Sequence, residues 1–226
     1  MRRLLVFDVN ETLLDVTALE PQFVRLFGDA RVLPEWFSTL LLYSEVATLA
    51  GPYADFPTIA GAALDMVAAA RGTTMPEDDR ASVLAGMRSL PPQPDAIDGL
   101  ERLRDAGFRL VALSNSSAAA VEAQLHHSGL APFFERAFSV DAVRRFKPAP
   151  EPYRFVAQAL GVETSALRMV AAHAWDIVGA MQAGCVGAFV ARPGKVLFPL
   201  APPPDVVGPD LRIVAERIIA ADASER

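Results

Sequence analysis

Leu4-Leu5-Val6-Phe7-Asp8-Val9-Asn10-Glu11-Thr12 is an apolar run that stops at a polar cluster. Consecutive apolar residues bounded by polar ones predict a buried strand followed by a loop. The pattern recurs three times. Arg109-Leu110-Val111-Ala112-Leu113 leads into Ser114-Asn115-Ser116-Ser117, and Leu167 to Ala172 leads into His173-Ala174-Trp175-Asp176. Gly187 to Ala191 leads into Arg192-Pro193-Gly194. Helical patterns lie between these runs: Asp95 to Ala106, with Ile97, Leu100 and Leu103 on one face, Ala118 to Ser128, and Pro152 to Leu160. Gly107, Gly129 and Gly161 follow them, as expected where helices stop. Strand alternating with helix predicts an α/β fold, a parallel sheet with helices on both faces. In such sheets ligands sit outside the carboxyl ends of the strands. The four polar clusters are therefore expected to converge there.

Residues 15–92 read differently. Pro21 to Phe27, Pro34 to Leu49, Pro57 to Arg71 and Pro76 to Met87 have helical spacing, with prolines suited to first-turn positions. The segment ends at the stiff linker Pro91-Pro92-Gln93-Pro94. It reads as a helical cap inserted after the first strand, so the expected domains are a core of 1–14 and 93–226 and a cap of 15–92. The stretch from Ala201 to Val207 predicts an extended loop and a last short strand, and Leu211 to Ala221 a final helix.

The chain has 226 residues, 52% of them hydrophobic and 21% charged, which excludes a disordered or fibrous protein. The net charge of −6 argues against a nucleic-acid binder. No stretch of about 18 apolar residues free of charge predicts a membrane span. Leu4 to Phe7 is too short for a signal peptide's hydrophobic segment. Cys185, the only cysteine, fits a reducing compartment and is expected to pack in the core. These features predict a cytoplasmic protein. Of 21 basic residues only Lys147 and Lys195 are lysines, which draws notice to Lys147 beside Pro148.

Asp8 and Thr12 after the first strand, Ser114-Asn115 after the second, Lys147-Pro148, and Asp176 after a later strand resemble the haloacid dehalogenase (HAD) superfamily. The resemblance covers nearly the whole chain and implies a Rossmann-like HAD core. A strand-end aspartate can act as a nucleophile through a covalent ester. Thr12 can hold one of its oxygens. Ser114 and Asn115 offer donors to a substrate anion. Lys147 holds Asp8 ionised, and Asp176 orients Lys147 or the attacking water. Each has a plainer reading as well: a cap for Thr12, Ser114, Asn115 and Asp176, and a surface charge for Lys147.

Departures choose among the superfamily's chemistries. Its phosphatases read D-x-D-x-T, and here the second carboxylate position is Asn10, which cannot act as an acid. In the stretch Ala172-His173-Ala174-Trp175-Asp176 a single carboxylate stands where two usually bind magnesium. The phosphonate-cleaving branch needs a cap lysine, and none precedes Lys147. Ala174-Trp175-Asp176 followed by Gly179-Ala180, Lys147-Pro148 with Tyr153, and Leu113-Ser114-Asn115 resemble the type II, or (S)-2-haloacid, dehalogenases. That resemblance implies metal-independent hydrolysis of a short 2-haloacid, without a cofactor, often by a homodimer. A magnesium-dependent phosphatase and a catalytically weakened binding protein stand as the other readings.

The expected catalytic set is Asp8, Thr12, Lys147, His173 and Asp176. The expected substrate contacts are Asn10, Trp36, Phe37, Ser114, Asn115, Tyr153 and Trp175. Three departures from the type II pattern matter. Asn10-Glu11 replace the family's Tyr-Gly. Phe37 falls where the cap arginine that receives the halide is expected. Ala171 and His173 replace a serine and an asparagine, and His173 can take over the handling of water.

Overall fold

The computed structural model describes residues 3–224. Its centre is a parallel sheet of six strands, β1 (Leu4–Phe7), β2 (Leu110–Ser114), β3 (Arg136–Ser139), β4 (Leu167–Ala171), β5 (Val186–Val190) and β6 (Val206–Gly208). They run in the order β3-β2-β1-β4-β5-β6. β1 is central, with Leu5 in register with Leu110 on one side and Arg168 on the other. β1, β2 and β4 are buried on both faces, so their near-continuous apolar runs were legible. β3 was not predicted. It is a short edge strand whose first residues, Arg136 and Ala137, are not buried, so it carries no apolar run.

Side chains alternate across the sheet, as the pleat requires. Leu5 and Phe7 join one core cluster, and Leu4 and Val6 join the other. Helices α5 (Ala96–Asp105), α6 (Ala118–His127) and α9 (Leu211–Ser224) cover the first face, through Leu100, Val121 and Val214 among others. Helices α7 (Pro150–Leu160) and α8 (Ala174–Gln182) cover the second, through Val156 and Ile177. Ile97 was expected on the buried face of α5 but is 44% exposed. The inward face is Ala96, Gly99, Leu100 and Leu103. Gly99 sets it, because a Cβ there would lie 2.5 Å from Leu211.

Between β1 and α5 lie α1 (Glu20–Phe27), α2 (Val32–Ala50), α3 (Phe56–Ala70) and α4 (Glu77–Gly86). Pro21, Pro34 and Pro57 occupy first-turn positions, and Pro76 caps α4. The two chain crossings into and out of this helical insertion clasp each other. Asp15 N donates to Pro91 O, and Gln93 N to Leu13 O. The insertion also shares the first core cluster, through Phe23, Trp36, Phe37 and Leu64.

Candidate active site

The carboxyl ends of β1, β2 and β4 deliver Asp8, Ser114-Asn115 and His173 to one edge of the sheet, and α8 adds Asp176. The segment before α7 brings Lys147 to the same place. Lys147 N donates to Asn115 Oδ1 at 3.0 Å, which sets the height of that segment over β2. Gly179 then lets α8 approach it, since a Cβ there would lie 2.5 Å from Pro148. The Lys147 Nζ donates to Asp8 Oδ1 at 2.8 Å, Asp176 Oδ2 at 2.5 Å and Leu113 O at 3.1 Å. All three ammonium donors are thus used inside the protein.

Asp8 Oδ2 has its own partners. Thr12 Oγ1 donates to it at 2.6 Å, and Ala172 N donates to Thr12 Oγ1 at 2.9 Å, which turns the hydroxyl proton toward Asp8. His173 Nδ1 lies 3.0 Å from the same oxygen, and His173 Nε2 lies 2.7 Å from Glu11 Oε2. A ring with a carboxylate at each nitrogen satisfies both only by donating twice, that is, as imidazolium. Lys195 Nζ also donates to Glu11 Oε2, at 2.8 Å. Asp8, Glu11 and Asp176 are therefore matched by Lys147, His173 and Lys195.

The titration behaviour follows from this packing. Burial alone would push Asp8 up, but Lys147 and His173 beside it hold its carboxyl well below the usual carboxylate range. Burial would lower His173, and the hydrogen bonds to Asp8 and Glu11 outweigh it, raising the imidazole to about 9. Burial disfavours the Lys147 ammonium, but Asp176 and Asp8 keep it above its ordinary value. Asp176 is raised, chiefly by burial. Burial raises Glu11 too, and His173 and Lys195 bring it below its usual value.

Glu11 adopts φ 58°, the left-handed region that a residue with a Cβ rarely occupies. Its side chain is thereby part of the site rather than an exposed turn residue. Arg192 fixes the same turn from below, with both Nε and Nη2 donating to Thr12 O. Its Nη1 pairs with the buried Asp95, which also accepts from Leu211 N.

A cavity of about 450 Å³ opens beside this cluster, lined by Glu11, Phe37, Leu41, His173, Trp175 and Lys195 among others. Trp175 stacks on His173 with ring centroids 4.9 Å apart, and Lys147 Nζ lies 5.8 Å from the Trp175 ring. Glu45 of α2 also faces the cavity, with its carboxyl raised by burial. Among the described residues no group of three or more His, Cys, Asp or Glu side chains is arranged to hold a metal ion.

The expected catalytic residues Asp8, Thr12, Lys147, His173 and Asp176 form one hydrogen-bonded cluster, and Phe37 and Trp175 line the cavity. The other expected substrate contacts each have a partner within the protein. Trp36 is fully buried in the helical insertion, its indole N–H given to Ala60 O. A polar N–H in an apolar core needs such a partner, and this one holds the ring away from the cavity. Tyr153 is buried behind Asp176 and donates to Asp176 Oδ1 at 2.6 Å, so it holds a carboxylate rather than substrate. Asn10 has protein partners at both ends of its amide, donating to Ser116 Oγ and accepting from Gln124 Nε2. Ser114 Oγ accepts from Ser116 N, and Asn115 Oδ1 holds Lys147 N, so both side chains shape the loop. Ser117, not these residues, caps α6. Cys185 is buried, its thiol pushed up to about 12 by burial.

Glu11 and Lys195 were not predicted as site residues. Two signals pointed to them: Glu11 sits inside the first motif where the family pattern breaks, and Lys195 is one of only two lysines.

Residues 2–184 match the family model of haloacid dehalogenase-like hydrolases. The chain is 30% identical over 214 residues to the (S)-2-haloacid dehalogenase of Pseudomonas sp. (strain YL), covering 94% of this chain and 92% of that protein. It is 35% identical over 180 residues to (S)-2-haloacid dehalogenase 1 of Pseudomonas sp. (strain CBS-3), 79% of each. The L-2-haloacid dehalogenase of Xanthobacter autotrophicus superposes with a TM-score of 0.89 at 29% identity, over 96% of this chain and 98% of that one. A structure of that enzyme with chloropropionic acid covalently bound superposes equally well, at 28% identity and the same coverage.

Proposed function

The chain belongs to the haloacid dehalogenase-like hydrolases, with (S)-2-haloacid dehalogenases among its relatives, and on that premise we propose that it hydrolyses short (S)-2-haloacids to 2-hydroxy acids through an ester on Asp8. The observation that carries this reading is the state of Asp8. It is buried and held ionised by Lys147 and His173, and the residue two positions on is Asn10 rather than a carboxylic acid. A phosphate ester needs an acid for its leaving oxygen. A halide leaves as a stable anion and needs none.

Asp8 Oδ2 already accepts two hydrogen bonds and Oδ1 only one, so Oδ1 keeps an open lone pair. Oδ1 attacks the carbon bearing the halogen, and the C–X pair departs with the halide. Water then adds to the Asp8 carbonyl carbon and the ester C–O bond breaks. One proton and one halide are released for each hydroxy acid formed. Asp176, oriented by Tyr153 and Lys147, faces this step from α8. Phe37, Leu41 and Trp175 give the cavity its apolar wall, and Lys195 is the cation that an entering carboxylate meets.

In this reading residues 15–92 act as a cap over a core of 1–14 and 93–226, no metal takes part, and the enzyme is cytoplasmic, where its lone cysteine is kept reduced. Leu42, Val46 and Leu49 leave an exposed apolar stripe on α2, which supports a homodimer.

The test is halide release from (S)-2-chloropropionate with EDTA present and Asp8→Asn as the blank. The expected result is release by the wild type alone, with the (R)-hydroxy acid as product. No release, or release only with added magnesium, would refute the reading.

A further inference from the structure

The mechanism above leaves Glu11, beside Lys195 in the cavity wall, without a task. Glu11 reaches the site from a left-handed turn position, and its Oε2 touches both His173 and Lys195. It does not touch Asp8. What it holds is the far side of the one imidazole that does.

Resting on the dehalogenase reading, we propose that Glu11 is a positioning residue that keeps His173 as a double N–H donor, so that His173 Nδ1 and the Thr12 hydroxyl form an oxyanion site on Asp8 Oδ2 during ester hydrolysis. Once Oδ1 carries the alkyl group, Oδ2 is the carbonyl oxygen of the ester. Water adding to the carbonyl carbon pushes the π pair onto Oδ2, where donors stand at 2.6 Å and 3.0 Å. The pair then returns, the carbon–Oδ1 bond breaks, and the product leaves with Oδ1 as its hydroxyl oxygen. One water proton ends on that hydroxyl and the other is the net proton of the reaction. Preorganised donors aimed at the developing charge are the most effective catalytic device for such a step.

Glu11 matters most in the second half of the reaction. In the free enzyme Asp8 and Glu11 both hold the proton on His173. Alkylation removes the Asp8 charge, and Glu11 is then the carboxylate still bonded to the ring. The other charged groups around it are Lys147 from the segment before α7, Asp176 of α8, Lys195 from the loop after β5, and Glu45 of α2 across the cavity. Lys195 shares the Glu11 oxygen and so limits its hold on the ring.

Glu11→Gln tests this with two readouts. The first is the imidazole titration of His173 by NMR, identified against His126 and His127 with His173→Asn. Loss of one nearby carboxylate is expected to lower it by about 1–3 units. The second is the Asp8 adduct, followed by mass spectrometry of acid-quenched enzyme during turnover of (S)-2-chloropropionate. At pH 8 the adduct should accumulate in Glu11→Gln and its hydrolysis slow about tenfold or more, since alkylation has already removed the Asp8 charge and the ring then keeps neither carboxylate. At pH 6 the gap to wild type should narrow, because more of the rings then carry both protons. Lys195→Met should move the imidazole the opposite way.

A hydrolysis deficit equal at pH 6 and pH 8 would show a merely structural role and overturn the proposal. So would an unchanged His173 titration. A wild type that forms no Asp8 adduct at all would sink the dehalogenase reading itself, and the proposal with it.

Discussion

Replacing Lys147 by methionine removes one ammonium and leaves two buried carboxylates facing each other. In the native site Lys147 Nζ bridges Asp8 Oδ1 and Asp176 Oδ2, with its side chain fully buried. Breaking a buried ion pair from one side typically costs about 3–5 kcal/mol. For a chain of this size that corresponds to a melting temperature lower by roughly 6–20 °C.

The deficit should depend on pH, and its sign is fixed. Asp8 and Asp176 then share a site with no cation between them, so one carboxyl is expected to be raised well above the ordinary range. A group raised in the folded state contributes stability below its unfolded pKa and loses it as pH rises through the folded one. The variant should regain stability as pH falls, at about 1.4 kcal/mol for each pH unit below the raised value. In the wild type Asp8 lies below its ordinary value of 3.8, so its contribution is intact between pH 8 and pH 5. Lys147 is raised above 10.5, so its contribution is intact there as well. In the wild type Asp176 is raised by burial and His173 is raised from 6.5 to about 9, so each adds stability as pH falls through its folded value. The quantity to follow is therefore the difference between the two. Melts of wild type and Lys147→Met at pH 8, 6.5 and 5 measure it. A gap that closes by about 3 kcal/mol toward pH 5 is the expected result. A gap that stays constant, or no gap, would refute the claim that Lys147 neutralises two buried carboxylates. Halide release at pH 8 should fall about a hundredfold or more, because Asp8 Oδ1 loses the ammonium that orients it.

Tyr153→Phe removes the hydroxyl that donates to Asp176 Oδ1, and since hydrogen bonds to charged groups contribute about 1.5–3 kcal/mol, urea unfolding should show a loss of that order. The KM for haloacid should stay close to wild type, because Tyr153 lies behind the carboxylate; a large rise in KM would place it in the cavity after all. Lys195→Met should raise KM for an anionic substrate and flatten the dependence of kcat/KM on salt; an unchanged salt profile would remove Lys195 from substrate capture. Arg192→Leu strands the buried Asp95 and frees the Thr12 carbonyl, so it should lower stability by about 3–5 kcal/mol in denaturant titrations. A loss under 1 kcal/mol would show that the turn is held without it.

The sheet was readable because its inner strands are buried on both faces and so appear as unbroken apolar runs. β3 was not, since an edge strand half open to solvent has no such run. Asp8, Lys147 and Asp176 were readable because each follows a strand or stands at a marked position, and ionisable groups buried together leave a motif. Tyr153 and Trp36 were assigned to substrate on their match to the type II family pattern. In the fold one turns behind Asp176 and the other into the helical insertion, and which way a ring turns is decided by packing. Arg192 and Gln124 act through backbone carbonyls, Thr12 O and Met87 O, which carry no sequence signature. Glu11 and Lys195 meet over 184 positions of sequence, and only the fold reveals that pairing.

The charges around the cavity explain how the site can work with Phe37 where an arginine is expected. The insertion contributes Pro34, Phe37, Ser38, Leu41, Leu42 and Glu45 to the cavity, and no cation. The cations come from the core, His173 after β4 and Lys195 after β5, and both are tied to Glu11 in the turn after β1. In a buried site three carboxylates need three cations, or protons, to remain folded. Placing the positive charge on the core keeps that balance without a cation from the insertion. The insertion then covers these core charges mostly with apolar surface, alongside Ser38 and Glu45. Water exclusion strengthens every charge interaction at Asp8. Substitutions at Phe37 and Leu41 should therefore act on the fit of the substrate's carbon chain, while those at Glu11, His173 and Lys195 act on charge.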